Sequence, residues 1–148
     1  MVFKKIKNFI YSFFREFLVF HHSSLEFRAK VLAAMISAKK YIDECEKDLL
    51  REIAYHIYKD DEDRAQILVN TTMEYIEKVK DSMNALFVDD LMLDIDKNLK
   101  AHSKFYKKID IEDLKKFLKC KASTDEKLLR LRIIEYFQNE LKCKNAKK

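Results

Sequence analysis

The chain of 148 residues contains no glycine and no proline, where average usage would supply roughly ten of the first and seven of the second. Every bend must be made by residues that carry a Cβ, for which a left-handed backbone costs roughly 1–2 kcal/mol. Motifs whose backbone turns through positive φ or approaches a phosphate closely need glycine, among them the P-loop, the dinucleotide fingerprint, the nucleophile elbow and the EF-hand loop. None can be written in this alphabet. Abundant Lys, Ile, Asn, Phe and Tyr point to a coding bias as an equally good origin of the depletion, and the structural consequence is the same. What remains is a helical chain whose function is binding rather than chemistry.

The length suits one domain, and with 48% apolar residues it can bury a core. The formal net charge of +5 is unevenly spread: residues 1–22 sum to +3, residues 23–96 to −7 and residues 97–148 to +9. An acidic middle between basic ends favours contact between these parts, or contact of the ends with an anionic surface. Cys45, Cys120 and Cys143 have no C-x-x-C spacing, and an odd number does not make a closed disulfide framework. Free thiols in a reducing, cytoplasmic setting are therefore expected. His21, His22, His56 and His102 form no zinc signature.

In the first segment apolar residues recur at Phe3, Ile6, Ile10, Phe13, Phe17 and Phe20, widened by Phe9, Phe14 and Leu18, which predicts an amphipathic helix over 3–20. Arg15 and Glu16 interrupt a run already shorter than the roughly twenty residues a bilayer span needs. Scattered charge and the lack of a small-residue cleavage pattern argue against a cleaved signal. Basic residues beside an aromatic apolar face are what an in-plane membrane anchor requires. Packing on the domain's own core needs nearly the same pattern. The docking candidates are Phe9, Phe13, Phe14 and Phe17, with Lys4, Lys5, Lys7 and Arg15 at the polar edge.

Helix starts are marked by capping boxes, an oxygen-bearing residue followed three later by an acidic one. Ser23 with Glu26, Asp43 with Glu46, Asp60 with Asp63, Asp110 with Asp113, and Ser123 with Glu126 qualify. They predict further helices near 24–40, 44–58, 62–81, 84–106, 111–119 and 124–142, joined by short connections. The alternating stretch VDDLMLDI over 88–95 reads as helix because no second strand is available to pair with it. The expected architecture is all-α, a compact bundle of six or seven helices. Its parts are an aromatic-rich amphipathic segment 1–22, a helical domain 23–142 and a disordered basic tail 143–148.

Two acidic clusters raise a divalent metal, since hard cations need several convergent oxygens. Asp60, Asp61, Glu62 and Asp63 point in different directions around a helix start and read as caps. Asp90 and Asp94 lie one helical turn apart beside Asp89, so they can share an ion or form a solvated acidic face. No spacing brings a nucleophile, base and carboxylate together, and no enzyme activity or cofactor is expected. Lysines from Lys97 to Lys121, interleaved with Phe105, Tyr106 and Phe117, keep nucleic acid open as an alternative partner. Their spread over several faces and the absence of a recognised motif favour a solvated surface.

The stretch 28–58, RAKVLAAMISAKKYIDECEKDLLREIAYHIY, resembles the tellurite-resistance TerB-like helical domain, which also forms the N-terminal part of DjlA-type DnaJ-like co-chaperones. Ala38, Ile42, Asp43 and Glu46 match the family's turn and the opening of its next helix, with Leu49, Leu50 and Ile53 in phase. Lys39 and Lys40 stand where the family has Asp and Gly. A weaker likeness runs over 109–137. The resemblance implies a regulatory or interaction role in stress response or chaperone-linked assembly at the inner membrane face, with a protein partner or an anionic membrane surface and room for a homo-oligomer. The alternative is a divalent-metal-binding domain that uses Asp89, Asp90 and Asp94, or Asp43 and Glu46 as the remnant that the resemblance implies.

Overall fold

The computed structural model describes residues 23–81 and 87–146. The expected helix over 3–20, with its docking residues, lies outside them. Six α-helices follow one another: α1 (Ser23–Ser37), α2 (Glu44–Ile57), α3 (Glu62–Asp81), α4 (Phe87–Ala101), α5 (Ile111–Lys116) and α6 (Thr124–Ala146). Two 3₁₀ turns, Ser103–Lys108 and Phe117–Lys119, flank α5. No strand occurs among the described residues, and the protein is an all-α bundle.

The bundle is organised around α1, whose residues Leu25, Phe27, Ala29 and the run Val31–Ile36 are all buried. A helix that is apolar on every side must be surrounded. It packs against α3, α4, α6 and the first 3₁₀ turn, and the bare methyls of Ala29, Ala33 and Ala34, each fully buried, leave room for that encirclement. The outer helices each turn one stripe inward: Leu50, Ile53 and Ala54 from α2, Ala65, Leu68 and Ile76 from α3, Leu91, Ile95 and Leu99 from α4, and Ile133, Ile134 and Phe137 from α6. Each such Leu, Ile or Phe contributes about 1.5–3 kcal/mol of hydrophobic stabilisation.

Four of the five predicted caps lie among the described side chains. Asp43 and Glu46 form a reciprocal box at α2, Ser123 and Glu126 do the same at α6, and Asp110 accepts from the amide of Asp113 at α5. At α3 the cap sits one residue later than the sequence suggested, because Asp61 rather than Asp60 accepts from the amide of Arg64. The side chain of Ser23 lies outside the described residues.

Helix ends differ more. The helix expected over 84–106 stops at Ala101, with His102 extended at φ −137° and ψ 100°. The reason is Phe105. In an unbroken helix it would lie about 240° around the axis from the inward Leu99. The break instead delivers its ring into the core, stacked on Phe27 at 4.7 Å and 6°. The final helix runs on through Ala146, where a disordered tail was expected from residue 143. Glu140 pairs with Lys100 at 2.8 Å, Leu141 packs against the core and Lys144 lies 4.8 Å above the ring of Tyr106, so its last turns are docked.

No described residue has a positive φ. Helices end instead by extension or by 3₁₀ tightening, as where Tyr58 (φ −111°, ψ 59°) donates its amide to Ala54.

Candidate functional site

The C-terminus of α1 leaves carbonyls without an intrahelical partner; the amide of Lys39 reaches that of Ile36 at 3.2 Å, and with no glycine to close a left-handed cap further donors come from a distance. Arg130, in the middle of α6 and fully buried, donates Nε to the carbonyl of Met35 at 3.0 Å and Nη2 to that of Ile36 at 3.4 Å. Its Nη1 reaches the carbonyl of Phe117 at 3.1 Å. Nη2 also meets Oε1 of the fully buried Glu46 at 3.2 Å. One guanidinium thus ties together the end of α1, the start of α2 and the turn after α5. The planar fork suits this task, since it supplies several donors in one fixed geometry.

Around that contact lies a closed set of partners. Lys39 Nζ stands 3.0 Å from both Glu46 Oε1 and Asp43 Oδ2. Glu46 Oε2 accepts from the amide of Asp43 at 3.1 Å, and Asp43 Oδ1 from the amide of Cys45 at 2.9 Å. On the other side of the same turn, the amide of Lys40 donates to Glu126 Oε2 at 2.6 Å. The two capping boxes, Asp43 with Glu46 and Ser123 with Glu126, are therefore joined through the Lys39–Lys40 turn.

The electrostatics follow from these contacts. Hydrogen bonding with Glu46, then with the Lys39 ammonium and the Cys45 amide, holds the Asp43 carboxyl down at about 2. Burial works to lower the Lys39 pKa, but its bonds to Glu46 and Asp43 outweigh that and leave it raised. The backbone amides of Ser123 and Lys40 hold Glu126 low.

Cys45 and Cys120 are joined by a disulfide, with Sγ atoms 2.01 Å and Cα atoms 5.8 Å apart. This corrects the expectation of three free thiols. The partners are 75 residues apart in sequence, and only the packing of α2 beside the second 3₁₀ turn brings them together. Cys143 is free and exposed.

The acidic residues singled out for a divalent ion occupy other roles. Asp43 and Glu46 have their oxygens engaged by Lys39, Arg130 and backbone amides, so they serve as helix cap and counterion. Asp94 pairs across to Lys30 on α1 at 2.7 Å, while Asp89 and Asp90 are exposed and not drawn into the same cluster. Among the described residues no three His, Cys, Asp or Glu side chains converge as metal ligands would. In the basic third, Lys100 pairs with Glu140, Lys115 with Glu112 at 3.6 Å and Lys116 with Asp113 at 3.1 Å, which neutralises part of that charge.

A cleft with about 20 Å³ of room, open to solvent, lies between α1, α2 and α5 and is lined by Leu32, Ile53, Leu114, Arg28, Lys108 and Asp110. Ligand pockets usually enclose about 300–1,000 Å³, so this cleft is a shallow groove. No described helix is long and apolar enough to cross a membrane. No family model, curated protein or solved structure matches the chain.

The cluster was hidden in the sequence for a definable reason. Arg130 belongs by charge to the basic C-terminal third, although it stands in helical register with Ile133, Ile134 and Phe137, all buried. Glu46 likewise stands in register with Leu50 and Ile53. A charge in phase with an apolar stripe is the signal that finds both.

Proposed function

We propose that the chain is a non-enzymatic helical interaction module that docks through residues 1–22 onto an anionic membrane surface. Phe9, Phe13, Phe14 and Phe17 enter the headgroup boundary, with Lys4, Lys5, Lys7 and Arg15 facing the phosphates. The observation that carries the reading is the pattern of residues 1–22, in which six phenylalanines share one segment with four cations and one anion. Its chemistry suits an interface: each buried Phe contributes about 1.5–3 kcal/mol and each cation near an anionic leaflet about 1 kcal/mol. The resemblance of residues 28–58 to TerB-like domains supplies the setting, a stress-response or chaperone-linked assembly at the inner face of a membrane.

Sedimentation of the full chain with vesicles tests this. The wild-type chain is expected to pellet with vesicles containing phosphatidylglycerol and less with purely zwitterionic ones. The variant F13S/F17S should lose binding to both, and K4E/K5E/K7E should lose the preference for anionic lipid. A wild-type chain that stays in the supernatant, or variants that partition as it does, overturns the reading and leaves a protein partner as the occupant of that face.

A further inference from the structure

The disulfide sits where the Arg130 cluster is gripped from two sides. Cys45 is the second residue of α2, next to Glu46, whose carboxylate meets the guanidinium. Cys120 follows the 3₁₀ turn Phe117–Lys119, whose Phe117 carbonyl takes Arg130 Nη1. Carboxylate and carbonyl thus belong to two segments that the sulfur bridge joins covalently. From Cys120 to Ser123 the chain leaves helical structure. Its backbone is tied by Cys120 N to Phe117 O and by the Ser123–Glu126 box at its far end.

The two sulfurs are not equivalent. Cys120 is 2% exposed, whereas Cys45 is only partly covered, so an incoming thiolate reaches Cys45. The core around α1 is held by α3, α4 and α6 and contains neither sulfur.

We propose that the Cys45–Cys120 bond is a reversible redox latch over the buried Arg130 cluster, opened by a dithiol reductant that attacks Cys45 Sγ. The first reductant thiolate forms a mixed disulfide with Cys45 as the Cys45–Cys120 bond breaks, and Cys120 leaves as a thiolate that takes a proton from water. The second reductant thiol attacks its own partner sulfur and displaces the Cys45 thiolate, which is protonated in turn. The reductant departs as a disulfide, having lost two electrons and two protons, and the chain holds two thiols. A disulfide of the same class closes the latch by the reverse path. Opening frees the 117–123 segment from the start of α2 and leaves the bundle core in place.

Three measurements on the full chain test this. Alkylation in denaturant followed by peptide mapping should label only Cys143 before treatment with dithiothreitol, and all three cysteines after it. Brief exposure to a monothiol, 2-mercaptoethanol, should leave its adduct on Cys45. Amide hydrogen exchange after reduction should accelerate about tenfold or more over 44–47 and 117–123 while residues 27–36 keep their protection. The Cys45→Ser variant should reproduce that pattern without reductant, and Cys143→Ser should not. Labelling of all three cysteines before reduction overturns the proposal, as does an adduct on Cys120. Exchange left unchanged by reduction also overturns it, and so does protection lost equally from residues 27–36, which would make the bond a global staple.

Discussion

Replacing Arg130 by Met keeps the aliphatic stem of the side chain and removes its guanidinium, so the change reports on the lost charge and donors. Three carbonyls lose a hydrogen bond: that of Met35 is left without a donor, while those of Ile36 and Phe117 keep only the amides of Lys39 and Cys120. Glu46 keeps Lys39 at 3.0 Å but loses its only fully buried counterion. Breaking a buried pair by removing one partner costs about 3–5 kcal/mol, a large share of the roughly 5–15 kcal/mol that holds a domain together. Equilibrium urea unfolding followed by far-UV circular dichroism should show this as a lower midpoint at unchanged slope. In a thermal scan it should appear as a fall of about 2–4 °C for each kcal/mol in a chain of this size.

The double variant R130M/E46M separates two accounts of the cluster. If charge pairing were its purpose, removing both partners would restore stability nearly to wild type, as apolar replacement of buried ion pairs often does. If Arg130 acts chiefly as a donor to the backbone, its three bonds to the carbonyls of Met35, Ile36 and Phe117 stay lost. The double variant then remains about 3 kcal/mol below wild type, taking about 1 kcal/mol for each lost bond. We expect the second result. R130M within about 1 kcal/mol of wild type, a loss no larger than that of a surface ion pair, would refute the reasoning, and so would a double variant as stable as the wild type.

Other expectations follow from the same structure. Because the Asp43 carboxyl is held at about 2, below its ordinary value near 3.9, its contribution is complete above that ordinary value and is lost as pH falls through the folded one. The stability gap between wild type and D43N should therefore close on acid titration, and a gap constant from neutral pH down to about 2 would contradict this. Lys39, raised by its carboxylate partners, contributes fully below the ordinary lysine pKa and loses its contribution as pH rises through the folded value. The gap between wild type and K39M should persist at neutral pH and narrow only in strong alkali. Asp61→Ala should cost about 1 kcal/mol of stability in urea unfolding and Asp60→Ala little, since only Asp61 caps α3. Phe105→Ala should cost about 3–5 kcal/mol, and a much smaller loss would mean that the 3₁₀ turn is not fixed by its ring against Phe27.

What could be read in advance divides along the distance over which each feature is decided. Caps are decided within four residues, which is why Asp43 with Glu46, Asp110 with Asp113 and Ser123 with Glu126 were legible, and why the slip from Asp60 to Asp61 is only one position. Helix ends were less so: the break at His102 is decided by Phe27, far away in the chain, which receives the ring of Phe105. The disulfide and the Arg130 contacts to α1 and Glu46 were invisible to spacing because their partners lie 75 to 95 residues apart. Yet the missing glycine already posed the question that Arg130 answers. A helix buried as deeply as α1 cannot leave its last carbonyls bare; the amide of Lys39 serves that of Ile36, and without a left-handed cap the donor for Met35 must come from another element. The residue that supplies it must be long, multiply donating and permanently charged, and must lie on an apolar stripe. Among the described cations of the basic C-terminal third, Arg130 alone is fully buried. The same logic explains why its counterion is Glu46, which caps the very next helix: one carboxylate neutralises the buried charge while fixing the direction in which the chain leaves the turn.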